Sequence, residues 1–96
     1  MRLTDEQIRV IVNTVRAQAG SAARVVVFGS RIDDRCRGGD LDLLIESSPA
    51  ISLIQRAKIK QTLESELRMP VDIIAKPTDA AASPFQAIAL ATGIPL

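Results

Sequence analysis

The chain has 96 residues, 12 Lys and Arg against 11 Asp and Glu, a formal net charge of +1, and 47% hydrophobic but only 2% aromatic residues. Such a composition builds an aliphatic core in a single domain, residues 1–96, near the lower size limit for folding without staples. It argues against a protein held to nucleic acid by a clustered basic footprint or by aromatic stacking, since the aromatics are Phe28 and Phe85 alone. Histidine is absent and Cys36 is the one cysteine, which removes His-based zinc sites, the commonest general base and any internal disulfide. A reducing cytoplasm is therefore the expected compartment. The start, "MRLTDEQIRV", is too polar for a signal peptide, and no apolar run approaches the length of a membrane span.

In chain order, Thr4 followed by Gln7 forms a capping-box pattern, and Ile8, Ile11, Val12 and Val15 then recur at helical spacing. These predict a helix over residues 5 to 18, with Gly20 suited to close it. "ARVVVF" (23–28) is a β-branched run and predicts a buried strand; "DLDLLIE" (40–46) predicts a second. "ISLIQRAKIKQTLESELR" (51–68) has the length and polar face of a helix, and "VDIIA" (71–75), bounded by Pro70 and Pro77, predicts a third strand. "SPFQAIALATG" (83–93) has Ser at the N-cap, Pro at the first helical position and Gly past the end. The order α-β-β-α-β-α predicts an α/β fold, one small sheet packed by helices. The segment 29–39 is too short for a crossover helix, so the first two strands are expected to be antiparallel and the sheet mixed.

The chemistry concentrates in "VVVFGSRIDDRCRGGDLDLLIE". Side chains alternate along a strand, so Asp40 and Asp42 are expected on one face, opposite Leu41 and Leu43. Two carboxylates in an apolar run repel unless a cation sits between them, and oxygen-only ligands suit Mg²⁺ or Mn²⁺. Asp72, between Val71 and Ile73, offers a third carboxylate if its strand lies beside the second. A cluster of that kind holds two ions roughly 3.5–4 Å apart, the spacing for in-line phosphoryl displacement. Gly29 lets backbone approach a ligand, Ser30 and the amides after it can donate to phosphate oxygens, and Arg31 supplies a guanidinium suited to them. Each piece alone has an ordinary explanation. A Gly-Ser pair makes turns, Asp-x-Asp caps or faces solvent, Asp72 suits a wet edge strand, and loop arginines are mostly solvated. Their combination points to chemistry. Lys76, just past the third strand, reads as a surface residue, and Cys36 lacks a histidine to activate it.

"GSRIDDRCRGGDLDLLIE" followed by "VDIIA" resembles the signature of the minimal nucleotidyltransferases, small members of the polymerase-β-like superfamily. Nine residues rather than ten separate Ser30 from Asp40, in a loop that varies within the family. The resemblance implies that Gly29 and Ser30 hold a nucleoside triphosphate, ATP expected, and that Asp40 and Asp42 bind two Mg²⁺ ions. It also implies that Asp72 completes the cluster or acts as base. The implied reaction transfers AMP to an acceptor hydroxyl. Little chain is left for an acceptor pocket, so a partner protein or a second copy is expected to complete it. Chains of this kind are commonly antitoxins that neutralise a small helical HEPN-type ribonuclease toxin by binding it and adding AMP to a tyrosine. Two alternatives stay open: a non-catalytic binding module, and a small-molecule transferase resembling the aminoglycoside-modifying enzymes. RNA-directed transfer is disfavoured by the near-neutral charge, and no membrane partner is expected.

Overall fold

The structure, a computed structural model, describes residues 3–29 and 39–96. Its elements are α1 (Asp5–Ala19), β1 (Arg24–Phe28), β2 (Leu41–Ser47), α2 (Leu53–Leu67), β3 (Val71–Pro77), α3 (Pro84–Thr92) and β4 (Ile94–Pro95). The expected α-β-β-α-β-α order is present, with one short strand added at the end. All three helices begin with the same reciprocal device. The side chains of Thr4, Ser52 and Ser83 accept from the backbone of Gln7, Gln55 and Gln86, whose own side chains accept from the cap backbone. Two orphan amides per helix are satisfied in this way.

The strands form one mixed sheet in the order β3-β2-β1-β4. β1 runs antiparallel to β2, as the short connection requires, and β2 runs parallel to β3 with α2 as the crossover. β4 pairs antiparallel with the outer side of β1, setting Ile94 opposite Val27 and Pro95 opposite Val26. Nothing in "GIPL" signals a strand, because Pro95 weakens the pattern and is tolerated only at a sheet edge. Gly93 makes the turn possible: a Cβ there would collide with the Val26 side chain and with the carbonyls of Val27 and Ala89.

Strand alternation sorts the core onto two faces. Val25, Val27, Leu41, Leu43 and Ile45 face α1 and α2, which contribute Ile11, Val15, Ile59, Leu63 and Leu67. On the other face, Val26 and Leu44 pack with Ala89 of α3, flanked by Phe28, Ile74 and Leu90. α2 buries the stripe Ile59, Leu63 and Leu67 at i, i+4, i+8. Leu53 and Ile54 in its first turn stay exposed. Among the described residues, no helix is long and apolar enough to cross a membrane.

β3 is an edge strand, and α2 closes the start of that edge. The Val71 N–H donates to Glu64 Oε2 at 2.9 Å, and the Val71 carbonyl accepts from Lys60 Nζ. The hydrogen bond from Val71, reinforced by Lys60, holds the Glu64 carboxyl below the usual carboxylate range.

Candidate active site

The α3-side face of the sheet carries the carboxylates. Phe28 at the end of β1 lies opposite Asp42 on β2, and Asp42 lies opposite Asp72 on β3. Directly paired residues project to the same face, so Phe28, Asp42 and Asp72 form a row across three strands. The condition placed on Asp72, that its strand lie beside the second, holds: β3 pairs with β2 and sets Asp72 opposite Asp42. Asp72 also fits the plainer reading, since its edge-strand side chain is 67% exposed. Asp40 lies one residue before β2 and is exposed at the rim of this row. Ser30 and Arg31 lie outside the described residues.

Asp42 is the half-buried member. Burial pushes its carboxyl above the ordinary aspartate value, and the negative charges of Asp72 and then Asp40 push it further the same way. Among the described residues, no cation pairs with Asp42 or Asp40, whereas Asp72 Oδ1 lies 3.9 Å from Lys60 Nζ. No three acidic side chains among those residues converge tightly enough to form a prebuilt cage for an ion. The donor set nevertheless suits Mg²⁺, which takes one or two carboxylates and completes its shell with water and substrate phosphates. Such an ion would be held jointly by Asp42, Asp72 and the nucleotide it accompanies.

Gly29 has a different neighbour from the one its sequence context suggested. It leaves β1 with φ +79°, and a Cβ on it would run into the Asp42 carboxylate. Its missing side chain makes room for Asp42 itself. Gly29→Ala is accordingly expected to destabilise by about 1–3 kcal/mol and to displace the Asp42 carboxylate. Urea unfolding measures the first effect, and Mg²⁺-dependent nucleotide binding the second. A variant matching wild type in both would show that the strand end is not constrained.

Beside Asp72, between α2 and β3, lies a cleft of about 450 Å³ lined by Leu53, Arg56, Ala57, Lys60, Asp72 and Ile73. Its two cations were not singled out in the sequence, where they read as part of a polar helix face. The two phenylalanines were too few to suggest a binding surface, yet they meet at the other end of the row. Their ring centroids are 5.9 Å apart at 81°. Lys76 corrects the surface reading: it is 4% exposed, and its Nζ lies 2.9 Å from Glu46 Oε2. Arg24 approaches the other oxygen of Glu46 at 3.4 Å.

A mixed sheet with helices on both faces, a glycine turn after β1 and aspartates in register on β2 and β3 describe a nucleotidyl-transfer domain. The sequence model of the nucleotidyltransferase domain matches residues 8–91, and the chain belongs to that family. The family works with a nucleoside triphosphate and a divalent metal. No curated protein is significantly similar to the chain.

Proposed function

We propose that the chain moves AMP from ATP to an acceptor hydroxyl on a partner protein, and that it acts as the antitoxin of a small helical HEPN-type ribonuclease toxin. The observation that carries the transferase part is the in-register pair Asp42 and Asp72 beside Gly29. In this reading Asp42 and Asp72 hold the metal, Asp40 adds charge at the rim, and Gly29, Ser30 and Arg31 seat the triphosphate. Bound metal supplies charge neutralisation on the phosphates and acidifies the attacking hydroxyl. The hydroxyl oxygen bonds to the α-phosphorus, the bond from that phosphorus to the bridging oxygen breaks, and pyrophosphate leaves. The Asp72 carboxylate, the most open of the row, takes the hydroxyl proton. The protein contributes positioning and fixed charge rather than covalent chemistry.

The cleft between α2 and β3 reaches Asp72 from the sheet edge and is the acceptor's side of the site in this reading. Leu53, which lines it, and its helix neighbour Ile54 are exposed and suit a protein partner. The protein is to be co-expressed with a HEPN-type toxin and supplied with Mg²⁺ and ATP labelled at the α-phosphate. Label is expected on a toxin tyrosine, and toxin ribonuclease activity is expected to fall with it. Toxin neutralised without labelling would replace the enzyme by a binding module. Label appearing on a small molecule instead would move the acceptor to the aminoglycoside-like class.

A further inference from the structure

We propose that Phe85 is the platform on which the nucleobase of the donor nucleotide stacks, an assignment that rests on the nucleotidyltransferase reading of Asp42 and Asp72. The chain has only two aromatic residues, 57 positions apart, and the fold brings them into edge-to-face contact. Phe28 is the cross-strand partner of Asp42 and shares its face, so the aromatic pair continues the carboxylate row. Phe85 is 59% exposed although it sits next to a partly buried apolar neighbour. The contact with Phe28 fixes the orientation of its ring, while more than half of its surface stays open.

The spacing suits one nucleotide. Phe28 and Asp72 are two strand spacings apart, roughly 10 Å. A nucleotide whose phosphates lie between the Gly29 turn, Asp42 and Asp72 has its base within reach of the open ring of Phe85, which rests on Phe28 on the same face of the sheet. Stacking on an aromatic ring contributes without reading the hydrogen-bonding edge of the base. At the start of α3, Ser83 and Gln86 are tied to one another in the capping box. Because stacking strength grows with ring area, the platform ranks purines above pyrimidines.

The test is titration calorimetry on the full chain with MgATP, MgUTP and magnesium tripolyphosphate, for wild type and for Phe85→Ala, Phe85→Leu and Phe85→Trp. Tripolyphosphate carries the phosphates without the base. Phe85→Ala and Phe85→Leu are expected to weaken MgATP by about tenfold, narrow the preference for ATP over UTP, and change tripolyphosphate binding less than twofold. Phe85→Trp restores MgATP binding, and its indole, the only one in the chain, is quenched by MgATP but not by tripolyphosphate. Thermal unfolding checks that each variant is folded. Equal losses for ATP and tripolyphosphate, or Phe85→Leu binding ATP as wild type does, overturn the stacking assignment. Wild type that binds tripolyphosphate as tightly as ATP overturns it too, and leaves the phosphate site standing. Wild type that binds neither ligand removes the nucleotide site and the platform with it.

Discussion

Removing either partner of the Glu46–Lys76 pair is expected to cost about 3–5 kcal/mol, a large share of the roughly 5–15 kcal/mol that stabilises a small domain. The two residues are cross-strand partners on β2 and β3, with side chains only 9% and 5% exposed and oxygen and nitrogen 2.9 Å apart. Lys76 Nζ also donates to the Pro77 carbonyl at 2.8 Å. Glu46→Ala would leave an ammonium buried with one backbone acceptor. Lys76→Ala would leave a carboxylate with only the distant, 63% exposed Arg24. Replacing both together, Glu46→Leu with Lys76→Met, removes the charges as a pair and is expected to be near neutral. Arg24→Ala, at a solvated rim, should change stability by less than about 1 kcal/mol. Urea midpoints at unchanged m-value give all four numbers. Single variants within about 1 kcal/mol of wild type would mean that water reaches the pair.

That pair also marks where the sequence stops being legible. Local signals were strong wherever one residue answers to its own neighbours. Thr4 and Gln7 announce the start of α1, the β-branched "RVVVF" announces β1, and the short loop after it dictates antiparallel pairing. The Asp-x-Asp spacing and Asp72 could be read because each breaks an apolar run, and breaking a run is visible from one strand at a time. Register is a property of two strands. That Asp42 meets Asp72, and that Glu46 meets Lys76 four residues further on, follows from the parallel β2–β3 alignment, which no single strand encodes. Lys76 read as a surface lysine because its buried partner is 30 residues away. β4 escaped because a two-residue strand that includes Pro95 is too short to show a pattern, and it is held in place by β1. Phe85 entered the sequence reading only as one of two aromatics, and only the docking of α3 puts it beside Phe28 and the carboxylate row.

Asp42→Asn is expected to change activity and stability in opposite directions. Transfer, or MgATP binding where no acceptor is supplied, should fall by at least about a thousandfold, because the amide brings no charge to the metal and phosphates. Stability of the metal-free protein should rise. Burial and the charges of Asp72 and Asp40 raise the Asp42 carboxyl above the ordinary aspartate value of 3.8, so ionising it is harder in the fold than in the unfolded chain. A raised carboxyl binds its proton more tightly when folded. Its favourable contribution is therefore complete below the unfolded value and is lost as pH rises through the folded one. At neutral pH the wild type bears that loss and Asp42→Asn does not. Solvent screens a half-exposed group, so the gain is a few tenths of a kcal/mol to about 1, or up to about 4–8 °C in Tm. The gap between the two proteins should close in acid, where Asp42 is protonated. It should also close when Mg²⁺ and ATP are added to the wild type, since only the carboxylate gains from the cation. Melting curves at pH 4 and pH 7, with and without MgATP, separate these effects. An asparagine variant less stable than wild type at neutral pH would mean that Asp42 holds the strand ends together. One that is more stable, and that MgATP no longer stabilises, would place the cost of the carboxylate in the binding of the metal.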